Sequence, residues 1–194
     1  MTLSLVLASS SPYRREILAK LGIDFTHLSP NIDETPFNGE TAEPLVKRLA
    51  LTKAQKAAQQ HPAALIIGSD QVAVLNNNII TKPHNHANAV KQLQQISNQK
   101  VTFLTSVCLL NSHTGQHQLC VSPYIVQFLD LSLLQIENYL LKEQPYNCAG
   151  SFKSEGLGIT LFKSLEGKDP NSLIGLPLID LIAMLRREGL EPLS

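Results

Sequence analysis

The chain has no tryptophan, only three cysteines in 194 residues, and no surplus of either charge, since sixteen Lys and Arg face sixteen Asp and Glu. Each shortage argues against a class of function. Balanced charge leaves no global field to draw the chain to DNA, RNA or an anionic membrane, so no nucleic-acid or membrane partner is expected. Cys108, Cys120 and Cys148 are odd in number and form no Cys-x-x-Cys pair, which argues against a disulfide scaffold or a zinc site and fits a cytoplasmic protein. Cys108 and Cys120 could face each other across a hairpin, but two reduced core thiols are the expectation. The longest apolar runs fall far short of a membrane span, and the opening Met1-Thr2-Leu3-Ser4 lacks the basic start of a signal peptide. Also missing are Gly-x4-Gly-Lys-Ser/Thr and Gly-x-Gly-x-x-Gly, the signatures of P-loop enzymes and dinucleotide binders. His84-x-His86 is the one close histidine pair, and its place in a polar loop entering a helix makes a metal role the lesser expectation.

What is present suits one domain over residues 1–194, with room for two lobes. Leu3–Ala8 reads as a strand, Tyr13–Leu21 as a helix stopped by Gly22, and Ile23–Leu28 as a short strand before the polar loop Ser29–Gly39. Glu43–Gln60 carries a helical stripe of Leu45, Leu49, Ala50 and Ala54. Leu65–Ile67 and Val72–Leu75 read as two strands separated by Gly68-Ser69-Asp70-Gln71, Asn76-Asn77-Asn78 as a turn, and Asn85–Ile96 as an amphipathic helix. Val101–Leu110 and Leu119–Leu129 flank a turn and form a long hairpin. Ser132 caps a helix to Lys142, Ile159–Leu165 reads as a strand, and Leu178–Arg187 as a last helix before Gly189. Helices interleaved with strands, plus one hairpin, predict an α/β fold with a mixed, twisted sheet flanked by helices.

The chemistry-bearing residues stand out against this scaffold. An apolar strand ends at Ala8, three serines follow, and Pro12 opens a helix whose first turn carries Arg14 and Arg15. Such a turn aims free N–H groups and the positive end of a helix at one spot, and serine hydroxyls and guanidinium groups add donors for phosphate oxygens. A plain helix cap followed by two solvated arginines is the alternative. Downstream, Lys53 interrupts an alanine- and leucine-rich helix, Lys82-Pro83 follows Ile79-Ile80, and Asp33-Glu34 lie in a loop without core residues. Asp70 stands just beyond the hydrophobic Ala64–Ile67 run, where α/β enzymes often put catalytic groups. Taken together, Arg14, Arg15, Lys53 and Lys82 suit phosphates, while Glu34 and Asp70 suit a divalent ion or a water, the needs of phosphoanhydride chemistry.

Leu7-Ala8-Ser9-Ser10-Ser11-Pro12-x-Arg14-Arg15, Asp33-Glu34, Gly68-Ser69-Asp70, Lys82-Pro83 and Ala149-Gly150-Ser151-Phe152, in this order, resemble the Maf family of nucleoside triphosphate pyrophosphatases. The likeness runs to the closing Gly175-Leu176-Pro177. It implies an elongated, two-lobed α/β fold shared with the inosine-triphosphatase-like house-cleaning enzymes, with the site in a central cleft. It also implies a cytoplasmic, often dimeric enzyme that uses Mg2+ or Mn2+ to cut the α–β phosphoanhydride of a nucleoside triphosphate. In family terms Asp70 accepts the proton and Ser9, Arg14, Arg15, Lys53 and Lys82 contact the substrate; for the metal, the carboxylates of Glu34 and Asp70 are the expected ligands.

Within the family, the dTTP/UTP branch carries Arg, Thr and Gln where this chain has Tyr13, Gln71 and Glu155. An aromatic residue, Gln and Glu at these positions resemble the 7-methyl-GTP branch instead, as does the run from Ala149 to Phe162. The chemistry agrees. N7-methylation makes guanine a delocalised cation, which a desolvated aromatic face attracts by roughly 1–2 kcal/mol or more. A carboxylate can accept both guanine N1–H and the exocyclic amine, so Tyr13 and Glu155 make a plausible methylguanine reader. The expectation is therefore hydrolysis of 7-methyl-GTP by a water that Asp70 deprotonates. A pyrophosphatase of broader specificity, or a non-catalytic nucleotide sensor controlling growth or division, stands as the alternative.

Overall fold

Leu5-Val6-Leu7-Ala8 offers no polar position, so a strand made from it must be covered on both faces. In the computed structural model, which describes residues 3–193, it forms β1 (Ser4–Ala8), lying parallel between β2 (Phe25–Leu28) and β3 (Ala64–Leu75). Met1, Thr2 and Ser194, at the ends of the expected domain, lie outside the described residues. Further along are β4 (Asn78–Ile80), β5 (Lys100–Asn111), β6 (His117–Phe128) and β7 (Phe162–Gly167). The sheet runs in the order β2-β1-β3-β5-β6-β7, with β4 on β3. It is mixed, as expected: β2, β1 and β3 are parallel, whereas β4 on β3 and β7 on β6 are antiparallel. No helix among the described residues is long and apolar enough to cross a membrane.

The chain divides into two compact units. One holds the chain up to Asp70, Thr105–Ser122 and the chain from Asp169 onward. Here strand alternation sorts the side chains into two layers. Leu5, Leu7, Leu65, Ile67, Val107 and Leu109 pack against Ile17 and Leu18 of α1 (Pro12–Ala19) and Leu181, Met184 and Leu185 of α6 (Leu178–Arg187). Val6, Ala8, Ala64, Ile66, Cys108 and Leu110 pack against Ala50, Ala54 and Ala57 of α2 (Ala42–Ala58). Burial pushes the Cys108 thiol up to about 12, as befits a reduced core residue. Between β7 and α6 a short helix, α5 (Pro170–Ile174), is capped by Asp169, whose Oδ1 accepts from Asn171 N at 2.8 Å.

The other unit holds Gln71–Leu104 and Pro123–Lys168, with α3 (His86–Ile96) and α4 (Leu133–Glu143). Its core is an aromatic cluster: Phe152 meets Phe103, Phe128 and Phe162 edge-on at centroid distances of 5.3, 5.5 and 4.9 Å. Asn76 and Asn77 both take positive φ (49° and 65°), the conformation a tight β3–β4 hairpin demands and asparagine tolerates. Ser132 and Gln135 form a reciprocal cap on α4.

Three expectations need correction. Gly68-Ser69-Asp70-Gln71 does not break the strand, because β3 is continuous from Ala64 to Leu75. Gly68 is there for closeness: a Cβ on it would stand 2.0 Å from the Ala50 carbonyl oxygen of α2. The expected strand Ile159–Leu165 begins late, as Leu157–Leu161 is a 3-10 turn and β7 starts at Phe162. Helix α5 escaped notice although Asp169-Pro170 is a proper cap followed by proline at the first turn. The close packing at Gly68 yields a prediction. Gly68→Ala should lower stability by about 1–3 kcal/mol in urea denaturation, because α2 must back away from β3.

Candidate active site

Strand β1 delivers the chain into a tight turn before α1. Ser9, buried, has its Oγ accept from Ser11 N at 3.1 Å, and Ser11 Oγ accepts from Arg14 N at 3.3 Å as the helix cap. The cap is therefore real, but it does not release both arginines to solvent. Arg14 is half-buried and donates from Nε to the Gly175 carbonyl at 2.7 Å. Burial holds its guanidinium below the ordinary value, while the carboxylates of Asp70 and Glu34 act in the opposite sense. Arg15 turns away to His27 Nε2 on β2, at 2.9 Å, so the structure does not bring it into this group.

The Gly175 carbonyl also accepts from Ser69 Oγ at 2.9 Å, one residue before Asp70. Asp70 itself points to the α2 side, where Lys53 Nζ lies 2.6 Å from its Oδ1 and 2.8 Å from Glu34 Oε1. Lys53 and Asp70 are 6% and 7% exposed, so this ion pair is largely shielded from water. The backbone of Asp70 is fixed from β5: Asp70 N donates to Ser106 Oγ at 3.3 Å, and Ser106 Oγ donates to the Val46 carbonyl of α2 at 2.6 Å. The loop carrying Glu34 is tied to the same helix. Arg48 grips Glu40 through Nε (2.7 Å) and Nη2 (2.6 Å), donates to the Thr35 carbonyl at 3.1 Å, and lies over the Phe37 ring. That grip holds the Glu40 carboxyl down at about 2.

Two carboxylates converging on one cation fit the demands of Mg2+, which prefers one or two carboxylates and completes its shell with waters and substrate phosphates. No group of three or more His, Cys, Asp or Glu suited to a metal is found among the described residues. His86 lies between Glu137 (Nε2 to Oε2, 2.7 Å) and the Tyr146 hydroxyl (Nδ1, 3.0 Å).

In the other unit, Lys82 is exposed between β4 and α3, and Glu155 is exposed on the loop after Phe152. Burial pushes the Cys148 thiol up, with the charges of Lys153 and Lys82 opposing that and those of Glu155 and Glu143 adding to it. Gln71 follows Asp70 on β3 and points by strand alternation to the opposite face. Tyr13 is half-buried in the first turn of α1. Sequence reasoning missed Ser106, Arg48 and Glu143. Ser106 alone carried a signal, as a polar residue in the apolar run Val101–Leu110.

A mixed α/β sheet thus carries a buried carboxylate held by a lysine, and a serine-rich turn follows β1 in the same unit, donor types suited to phosphate chemistry. The chain belongs to the family described as Maf-like protein, which matches residues 4–188. It is 54% identical to the 7-methyl-GTP pyrophosphatase of Vibrio vulnificus, over 98% of this chain and 97% of that protein. It is 57% identical to the protein of the same name from Pseudomonas savastanoi, over 97% of this chain and 98% of that one. Among solved structures, it is similar to the Staphylococcus aureus Ham1 protein at 16% identity and a TM-score of 0.47, over 66% of this chain and 72% of that one.

Two outcomes are expected from this geometry. Lys53→Met strands the Asp70 carboxylate, costing about 3–5 kcal/mol in denaturant titration, and millimolar Mg2+ should restore part of the loss. The Glu40–Arg48 contact depends on pH in a defined direction. Because the folded carboxyl sits near 2 against an ordinary 4.5, its contribution is full above pH 4.5 and lost as pH falls toward 2. Hydrogen exchange of residues 35–40 should accelerate across that window in wild type and already at neutral pH in Arg48→Ala.

Proposed function

We propose that this chain hydrolyses 7-methyl-GTP to 7-methyl-GMP and pyrophosphate, removing a modified nucleotide from the cytoplasmic pool. The observation that carries this is the Lys53 ammonium held between Glu34 and Asp70, with Arg14 close enough to feel both carboxylates. A structural ion pair needs one carboxylate, whereas phosphoanhydride cleavage needs a base, cation ligands and phosphate donors together. The names of the relatives at 54% and 57% identity support the same substrate.

In the proposed mechanism the Ser9 hydroxyl, Arg14, Lys53 and Lys82 hold the triphosphate. Asp70 orients a water and takes its proton as the oxygen attacks the α-phosphorus. The bond from that phosphorus to the α–β bridging oxygen breaks, and pyrophosphate departs with its charge met by lysine and arginine. Glu34 and Asp70 would hold Mg2+ or Mn2+, which when bound supplies charge neutralisation to the phosphates. Arg15, engaged with His27, is given no part in phosphate binding. Tyr13 offers its ring to the cationic base and Glu155 accepts the guanine donors, with Gln71 completing the reader. An odd count of three cysteines with no Cys-x-x-Cys pair suits a reducing cytoplasm, and the family resemblance implies a homodimer.

Asp70→Asn keeps an oxygen for Lys53 but removes the base, so turnover should fall by about 10²–10⁴ while circular dichroism stays unchanged. Product chromatography should detect pyrophosphate first; initial orthophosphate would mean β–γ cleavage and overturn the mechanism. In competition between 7-methyl-GTP, GTP, dTTP and UTP, wild type should favour 7-methyl-GTP. Glu155→Gln and Tyr13→Ala should each cut that preference by about tenfold. A wild-type preference for dTTP or UTP overturns the substrate assignment and leaves the pyrophosphatase chemistry standing.

A further inference from the structure

Glu143 is the last residue of α4, where a carboxylate works against the helix dipole instead of with it. Its position is explained by what it holds. Glu143 Oε2 accepts from Leu157 N at 2.8 Å, and Oε1 lies 3.5 Å from Lys153 Nζ. The loop between these two residues folds tightly over the carboxylate. A Cβ on Gly156 would stand 2.7 Å from Glu143 Oε2, and one on Gly158 would stand 2.1 Å from the Lys153 carbonyl oxygen. Tyr139, one turn earlier on α4, accepts from Lys153 N at 3.1 Å, and Ser151 Oγ donates to Gln92 on α3 at 2.6 Å. Glu155 is the exposed residue in the middle of this anchored segment, flanked by the two residues that Glu143 grips or crowds.

We propose that Glu143 is a positioning residue for base selection: by holding the Leu157 amide it fixes the turn that presents Glu155. This rests on Glu155 reading the base, as argued above. The bond to the Leu157 amide is the main contact, since it is short and directional, whereas the Lys153 ammonium lies farther away. Glu143 keeps the loop closed, and Glu155 meets the guanine edge without first having to be ordered.

The experiment compares wild type, Glu143→Gln, Glu143→Ala and Gly156→Ala by kcat/KM for 7-methyl-GTP and GTP and by hydrogen exchange of the Leu157 amide. Glutamine keeps an oxygen for that amide, so its selectivity ratio should stay within about threefold of wild type. Glu143→Ala should lose about tenfold in the ratio, with kcat for GTP within about twofold and Leu157 exchange accelerated. Gly156→Ala, which leaves the Glu143 side chain in place but sets a methyl group against its carboxylate and so parts it from the Leu157 amide, should lose selectivity in the same way and keeps the test open if Glu143→Ala does not fold. Faster Leu157 exchange with an unchanged ratio overturns the proposal, as does unchanged exchange in Glu143→Ala. A wild type without preference for 7-methyl-GTP overturns the reading of Glu155 on which it rests, and this is seen before any variant is made.

Discussion

The approach of α2 to β3 is the constraint on which the candidate site depends. With Ala50, Ala54 and Ala57 facing the sheet and no side chain on Gly68, the helix backbone comes close enough for a methyl group to be impossible between them. At that separation Lys53, on the turn between Ala50 and Ala54, reaches Asp70, two residues along β3 on the same face. A larger residue at Gly68 or in the alanine stripe would lift the helix and part the ion pair. Small residues set the distance, and the charged ones act at it.

Holding a shielded lysine between two carboxylates contributes little to folding on balance, because desolvating the charges offsets much of their attraction. Apolar side chains would fill this space more stably. The arrangement makes sense as a preorganised set of charges, already stripped of much of their water before a ligand arrives. Hydroxyls of Ser69 and Ser106 and the Gly175 carbonyl hold its backbone and side chains from three directions, a burial of polar groups that is satisfied throughout.

Much of this was legible in the sequence. Uninterrupted apolar runs announced β1 and the end of β5, helical stripes announced α2 and α3, and Ser132 announced the start of α4. Gly68 misled because a glycine in a strand signals a turn or a close approach with the same letter, and only packing tells which. The expected break there also placed Asp70 beyond a strand, whereas it lies within β3. Glu34, Lys53, Asp70 and Arg14 were readable as chemistry-bearing types out of place in their elements, and they do gather. Arg15 read the same way, yet helix geometry turns it toward β2 and His27. The Gly175 carbonyl was unreadable in principle, since every residue has one and only the tertiary fold selects which matters.

That carbonyl gives the molecule a schedule. Arg14 and Ser69 are made early in synthesis, but their shared acceptor belongs to a segment near the end of the chain. The unit containing the site draws on the start of the chain, a middle stretch and the chain from Asp169 onward. A nascent chain that has not been extended to Gly175 has all the charged residues of the site and nothing to hold Arg14 in place. Assembly of the serine-rich turn thus waits until synthesis has passed Gly175, and a polypeptide truncated before that residue carries the motifs without the means to organise them.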